Sequence, residues 1–224
     1  MNYSIPAEGL IVRTGAERAT LVRRTYLLVL AGVFLTVAGT AFAFTQPALL
    51  AAVARHPFIT FLCTFAPLLL ATRARAAFPA NILLVLLFTF TVGVWISPLM
   101  FYYTQTQPQL LPQAGLLTLT TFSVLTGYAW VSKRDFSAFG SFFVVGLWVL
   151  IATSLLNLFF QNETAALWLS AGTLLVFSGL LIYDTWRLRN VYGPDQYVLA
   201  AVQIYLDLLN MFLAILHLLG GRRD

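Results

Sequence analysis

Charged side chains are scarce in this sequence. Only 9% of the 224 residues are Asp, Glu, Lys or Arg, whereas 60% are hydrophobic. Soluble globular domains carry about 25% charged residues. The 13 basic and 8 acidic residues are too few to cover the surface of a soluble protein of this length, so that class is excluded. The composition predicts an all-α, polytopic membrane protein.

Cysteine and the motifs of soluble catalysis are nearly absent as well. Cys63 is the one cysteine, so no disulfide can form within the chain. Because it lies in an apolar run, we interpret it as a buried, unreactive thiol. There is no Walker loop, no H-E-x-x-H, no C-x-x-C and no G-x-S-x-G. We therefore expect neither an enzyme nor a cofactor.

The charge that is present has a positive balance. A net charge of +5 could indicate nucleic-acid binding. In so apolar a chain, we interpret it instead as basic loops that face an anionic cytoplasmic leaflet. The lipid bilayer, and not nucleic acid, is the expected partner.

Long apolar runs fill most of the chain. A spanning helix needs about 20 apolar residues, and seven stretches reach or approach that length. They cover residues 25–45, 57–72, 78–100, 111–131, 137–160, 164–189 and 197–219. The second is the shortest. The sequence predicts a cytoplasmic N-terminal arm (1–24) followed by a seven-helix transmembrane domain (25–220).

The basic residues are distributed unevenly between the two ends of these spans. With seven spans and a cytoplasmic N-terminus, ten basic residues lie inside and three outside. The inner set is Arg13, Arg18, Arg23, Arg24, Arg73, Arg75, Lys133, Arg134, Arg187 and Arg189, and the outer set is Arg55, Arg222 and Arg223. The positive-inside rule then predicts a periplasmic C-terminus in a bacterial inner membrane. A re-entrant second stretch would invert every later segment and abolish this bias.

Two acidic residues lie within predicted spans. Asp184 is in the sixth and Asp207 in the seventh, where an acid costs about 2.5–3.5 kcal/mol on insertion scales. Both are equally far along the chain from the turn at 193–196, about 16 Å along each helix. We expect the two carboxyl groups to meet at one depth. In the alternative, each Asp is protonated or hydrogen-bonded and serves packing alone.

The seventh span carries its polar side chains on one face. Gln203, Asp207, Asn210 and His217 fall within an arc of about 80°. This is expected of a helix that lines a hydrated path, with His217 as an interface histidine. Asn157 in the fifth span is a further candidate for the path, and an interhelical hydrogen bond is its alternative role.

Two carboxyl groups in contact cannot both ionise cheaply, and we expect them to share a proton near neutral pH. Losing that proton would add repulsion and open the contact. Arg73 and Arg75, at the inner end of the second span, are candidate pairing cations. The two carboxylates could also bind a divalent cation. An intramembrane aspartyl protease is the enzymatic alternative, but its Gly-x-Gly-Asp context is absent around Asp207.

Several segments carry a family resemblance. They are Leu180–Asp184, Tyr205–Phe212, Gly93-x-x-x-x-Pro98, Lys133–Ser137 and Asn157. In these residues the chain resembles the Bax inhibitor-1 (TMBIM) family. The resemblance implies seven helices, six of them surrounding a central C-terminal one. It also implies a pH-sensitive calcium leak gated by Asp184 and Asp207, with Arg75, or less favourably Arg73, as the pairing cation.

The resemblance leaves two functions open. The first is a cation leak channel, with Ca²⁺ and H⁺ as the ions it handles. The second is a non-conducting modulator of the membrane-bound AAA protease FtsH, a partnership that a bacterial branch of the family implies. The basic N-terminal arm, Arg13 to Arg24, is where such a contact is expected.

Overall fold

The computed structural model describes residues 15–73 and 79–221, and this part of the chain is helical with no β-strand. The elements are α1 (Gly15–Phe44), α2 (Pro47–Arg55), α3 (Pro57–Arg73), α4 (Ala80–Thr106), α5 (Leu110–Val131), α6 (Phe139–Phe160), α7 (Glu163–Asn190), a 3₁₀ turn (Pro194–Gln196) and α8 (Tyr197–Gly220). The predicted all-α class is confirmed.

Six of the described helices are long and apolar enough to cross a membrane, namely α1 and α4 to α8. Helices α2 and α3 meet the same test only together, and they are bent by 105° relative to each other. The pair is either one broken span or a re-entrant element, so the chain has six spans or seven. This is the multi-pass architecture that the apolar runs predict.

The break between α2 and α3 follows from Pro57. This residue occupies the first position of α3, as Pro47 does in α2, and a missing N–H is tolerated there. His56 precedes Pro57 and has φ −127° and ψ 56°, outside the helical region, because the proline ring disfavours a helical residue before it. The 17 residues of α3 extend about 26 Å, close to the thickness of the hydrocarbon core.

Another proline lies inside a helix without ending it. Pro98 is in the C-terminal half of α4 and lacks the N–H that would bond to the carbonyl of Val94. The Ser97 hydroxyl donates to that carbonyl at 2.7 Å instead. The freed backbone acceptor is thus satisfied within α4, which runs unbroken to Thr106.

Helix α1 begins before the first apolar run. It starts at Gly15, whereas the predicted span starts at residue 25. The added turns contain Ala, Glu, Arg and Leu, which favour helix, so the helix continues past the end of its apolar stretch. The last ten residues of the predicted arm are therefore the helical extension of a span.

Helix α8 is the most buried of the spanning helices. Among the described residues it packs against α1, α4, α5 and α7, whereas α3 packs on α2 and α4, and α6 packs on α7 alone. The resemblance implies six helices around a central one. Among the described residues, the central helix α8 contacts four of its neighbours directly. Helices α3 and α6 lie at the periphery because α4 and α7 separate them from α8.

The closest helix crossing joins α1 and α4. A Cβ at Gly39 would lie 2.1 Å from the carbonyl oxygen of Phe90, and one at Gly93 would lie 2.0 Å from that of Thr36. Only glycine permits this approach. The Thr40 hydroxyl donates across the crossing to the carbonyl of Gly93 at 2.9 Å. Backbone contact and interhelical hydrogen bonds therefore fix α1 on α4.

The predicted environment of Cys63 is wrong. This residue lies on α3 but is exposed at the surface of the helix bundle. The surrounding run is apolar because α3 is peripheral and presents much of its surface to lipid, as the exposed Phe58, Ile59 and Leu62 show.

Candidate functional site

The candidate site lies in the connected half of the helical hairpin formed by α7 and α8. The two helices pack along each other and are joined by a short connection that contains the 3₁₀ turn. Asp184 is 5% exposed and Asp207 is 3% exposed. The two side chains belong to helices that pack along each other. The structure therefore buries both acids within one helical hairpin.

Asp184 has a cationic partner on its own helix. Nη1 of Arg187 lies 3.4 Å from Oδ1 of Asp184, and the Arg187 side chain is 25% exposed. The guanidinium carbon also lies 4.6 Å from the ring centroid of Tyr192 and 5.5 Å from that of Tyr183. Two aromatic faces and one carboxylate therefore hold Arg187 in position.

Tyr192 links this cluster to α8. It is 2% exposed, and its hydroxyl donates to Oε1 of Gln203. Burial, with the nearby charge of Asp184, raises the pKa of the Tyr192 phenol, and Arg187 opposes that shift. The phenol is therefore a neutral hydrogen-bond donor at physiological pH. Its ring contacts Arg187 on α7 while its hydroxyl binds Gln203 on α8.

Asp207 has no comparable partner. Its Oδ2 is buried, and no described protein group donates a hydrogen bond to it. An isolated ionised carboxylate in such a place is costly, so this side chain can stay buried most easily when it carries a proton. The two acids therefore differ: Asp184 has a cation beside it, whereas no described cation pairs with Asp207.

The structure does not show all the remaining predicted site residues beside Asp184 and Asp207. Arg75 lies outside the described residues, and of Arg73 only the backbone is described, as the last residue of α3. Asn210 donates from Nδ2 to the carbonyl of Leu206 on its own helix at 2.8 Å. The pairing of Arg73 or Arg75 with the two acids therefore stays a prediction.

Asn157 is not brought to the pair. Its Oδ1 accepts a hydrogen bond from the backbone N–H of Asn162 at 3.2 Å, where it closes the connection between α6 and α7. Since α6 packs on α7 alone among the described helices, Asn157 is separated from α8, and its place on an ion path stays a prediction. At the same outer end, Nδ1 of His217 lies 2.8 Å from the hydroxyl of Ser170.

Arg187 and Tyr192 are the residues that sequence reasoning missed. Arg187 counted there only as a basic residue of an inner loop. The available signal was its spacing of three from Asp184, which places both on one helix face. No pattern in the sequence reveals Tyr192, because its contact with Gln203 depends on how the chain turns after α7.

The described residues contain no group of three or more His, Cys, Asp or Glu side chains that could hold a metal ion. Ca²⁺ takes six to eight oxygen ligands in its stable protein sites. The two carboxylates of Asp184 and Asp207 supply fewer. Binding of a divalent cation by this pair therefore stays a prediction.

The helices and the buried carboxyl pair together define a multi-pass helical membrane protein. A family model described as "Inhibitor of apoptosis-promoting Bax1" matches residues 18–224. The chain belongs to the Bax inhibitor-1 family, as the resemblance in its C-terminal third indicates.

Relatives occur in viruses, fungi and bacteria. The chain is 41% identical over 148 residues to the Golgi anti-apoptotic protein of Vaccinia virus (strain Lister), which is 66% of this chain and 61% of the viral protein. It is 29% identical over 207 residues to Bax inhibitor 1 of Schizosaccharomyces pombe, which is 91% of this chain and 77% of the yeast protein. A protein of Campylobacter jejuni is 35% identical over 144 residues, which is 63% of this chain and 62% of the bacterial protein.

Proposed function

We propose that this protein is a pH-sensitive cation leak, with Ca²⁺ as the permeant ion and Asp184 and Asp207 as its gate. One observation carries the proposal: α7 and α8 pack along each other and each buries one acidic side chain, and among the described residues only Asp184 has a cation beside it. Such residues inside a membrane protein mark ion or proton pathways by default.

The proton acts through electrostatic repulsion. While Asp207 carries a proton, only Asp184 is charged, and Arg187 compensates that charge. When Asp207 loses its proton, two negative charges face each other in a medium of low dielectric constant. The resulting repulsion separates α7 from α8 at their inner ends. The same two carboxylates then attract a divalent cation.

The polar residues near the pair assist this change. Gln203 has an amide on the polar face of α8 and is held by Tyr192 in the closed arrangement. Separation of α7 and α8 breaks that hydrogen bond and frees the amide for water or an ion. Asn210, one turn beyond Asp207 on the same face, extends the polar path outward.

The protein lies in a bacterial inner membrane with its N-terminus in the cytoplasm. Basic residues at the α5–α6 and α7–α8 ends, together with those of α1, support this orientation. The carboxyl pair then lies near the cytoplasmic side. It responds to cytoplasmic pH, with flux rising as that pH rises and falling as it falls.

The test is Ca²⁺ flux into liposomes that contain the purified protein, measured from about pH 6 to about pH 8. The variants are Asp184→Asn, Asp207→Asn and both together, and Glu163→Gln is the matched control because it removes an exposed acid at the outer end of α7. We expect flux to rise with pH in the native protein and in the control. Flux in the double variant should not depend on pH.

A pH-dependent flux that both Asn substitutions leave unchanged would remove the carboxyl pair as the gate. Absence of Ca²⁺ flux from the native protein at every pH would remove the leak itself.

A second candidate is a modulator of the membrane protease FtsH. The observation that favours it is the helical extension of α1 before the apolar run, where Arg23 and Arg24 are exposed. Arg23→Glu should then reduce co-purification of FtsH and leave Ca²⁺ flux intact. Arg134→Glu, an exposed basic residue on the same side, is the control. Equal recovery of FtsH with both variants would contradict this role.

A further inference from the structure

A large apolar cavity lies in the membrane-spanning part of the protein, on the face of α8 opposite Asp207. Its volume is about 480 Å³, within the usual range of small-molecule sites. Helices α1 and α5 line two of its sides, and α4 and α8 complete its lining.

The cavity opens toward lipid. Val37 on α1 and Leu119 on α5 both line it, and they are 63% and 57% exposed. Its lining comes from the C-terminal halves of α1 and α4, the N-terminal half of α5 and the middle of α8. These segments share the half of the membrane next to the α4–α5 connection. The cavity therefore opens into the hydrocarbon of one leaflet.

The cavity has no free polar group to offer a ligand. Every side chain of its lining that carries a hydroxyl group forms a hydrogen bond within the protein. Thr36 bonds to the carbonyl of Thr89 and to the hydroxyl of Tyr205. Thr40 bonds to Gly93, and Thr104 and Thr118 bond to carbonyls of their own helices. Water would gain few partners there, so the chemistry selects a purely apolar occupant.

We propose that this cavity binds one acyl chain of a membrane phospholipid, with the headgroup outside the protein. The cavity is open to the leaflet and its lining is apolar, because each hydroxyl group there already has a hydrogen-bond partner. Hydrocarbon is the medium that surrounds it. An empty cavity of this size would forfeit the dispersion contacts of its walls. A bound acyl chain restores them.

The site reaches the most buried helix of the bundle. Tyr205, Leu208, Leu209 and Phe212 form one face of α8 and line the cavity. Asp207 projects from nearly the opposite face, about 200° away around the helix. The bound chain would therefore rest directly on α8 while touching neither carboxyl group, and the site stands independently of the proposed ion flux.

Gly115 provides a clean way to fill the cavity. It lies on α5 in the lining, and a Cβ at this position would meet nothing within 4 Å. Gly127 lies on the same helix, also meets nothing within 4 Å, and is not in the lining. Gly115→Phe and Gly127→Phe thus form a matched pair in which only the first blocks the site.

The experiment uses the full chain in phosphatidylcholine vesicles that contain a small fraction of phosphatidylcholine with a photoreactive diazirine on one acyl chain. Labelled residues are located by mass spectrometry, and Trp148, an exposed residue of α6, serves as the reference for ordinary lipid contact. We expect labelling of Thr118 and Leu209 to exceed that of Trp148. It should fall several-fold in Gly115→Phe and stay unchanged in Gly127→Phe.

Three results would overturn the proposal. The first is labelling of the cavity that is no stronger than that of Trp148. The second is equal labelling of Thr118 and Leu209 in Gly115→Phe and in the native protein. The third is a second copy of the chain cross-linked at the cavity in place of lipid. Thermal unfolding in detergent is the control for folding. We expect both variants to fold, because each replaces a helical glycine by a residue that favours helix more.

Discussion

At the scale of single residues, the two intramembrane acids differ in their surroundings and not in their chemistry. Asp184 has Arg187 at 3.4 Å, whereas Oδ2 of Asp207 has no donor among the described residues. A charge that loses its partner in a buried place is costly. In the proposed gate, Asp184 therefore carries the resting negative charge and Asp207 holds the proton.

Removing Arg187 should shift the pH dependence of flux. Without this cation, the negative charge on Asp184 is less well compensated, so the pair keeps its proton to a higher pH. In Arg187→Ala, Ca²⁺ flux into liposomes should therefore begin at a higher pH than in the native protein. Arg134→Ala, an exposed site in the α5–α6 connection, should leave the onset unchanged. An onset that stays in place or moves to lower pH in Arg187→Ala would contradict the pairing.

Arg187→Ala should also lower stability by about 1–2 kcal/mol, less than the loss of a fully buried pair, because Arg187 is partly exposed. Denaturant unfolding in detergent measures this loss. In an Asp184→Asn background the loss should largely vanish, since the charge that Arg187 compensates is gone. Equal losses in both backgrounds would mean that Arg187 stabilises the protein through its tyrosine contacts alone.

Tyr205 tests a hydrogen bond that joins three helices. The hydroxyl of Thr36 can donate to the carbonyl of Thr89, so Tyr205 donates to Thr36 at 2.7 Å. Tyr205→Phe should cost about 0.5–1.5 kcal/mol, because Thr36 keeps its carbonyl partner. Tyr102→Phe, at a position that is 57% exposed, should be neutral in the same unfolding measurement. A larger loss at Tyr102 than at Tyr205 would contradict the contact.

At the scale of helices, the crossing of α1 and α4 depends on glycine. Gly93→Ala would place a methyl group 2.0 Å from the carbonyl oxygen of Thr36, so the backbones must move apart. The expected cost is about 1–3 kcal/mol or more. Gly127→Ala, where nothing lies within 4 Å, should be neutral or slightly stabilising. If Gly93→Ala and Gly127→Ala unfold at the same temperature, the close crossing is absent in the protein.

Helix positions could be predicted from the sequence because long apolar runs permit no other backbone structure in a bilayer. The short helix α2 was missed, since a nine-residue helix between two prolines leaves no spanning pattern. The carboxyl pair could be anticipated from the distance of each Asp to the turn. Arg187 and Tyr192 could not be assigned, because their contacts depend on the side-chain packing at the inner end of the hairpin.

At the scale of the whole molecule, the orientation depends on whether α2 and α3 together cross the membrane. With seven spans, the N-terminus and the α5–α6 connection lie on the cytoplasmic side and the α4–α5 connection lies outside. A re-entrant pair places the α4–α5 connection on the same side as the N-terminus. The two arrangements can therefore be told apart by locating two connections.

Single cysteines at Ser132 and Gln109 locate these connections in a Cys63→Ser background. Both positions flank α5, one at each end. In inner-membrane vesicles of known sidedness, an impermeant maleimide added from the cytoplasmic face should label position 132 and not position 109. The opposite pattern would show that α2 and α3 are re-entrant and would reverse the orientation proposed here.

The central claim is that one proton shared by Asp184 and Asp207 controls the pathway. Infrared spectra of the protein in lipid, recorded across the same pH range as the flux, report a protonated carboxyl group directly. We predict a protonated-carboxyl band that disappears as flux begins and that is absent in Asp207→Asn. A band that persists in Asp207→Asn, or that is lost at a pH unrelated to the onset of flux, would contradict the account.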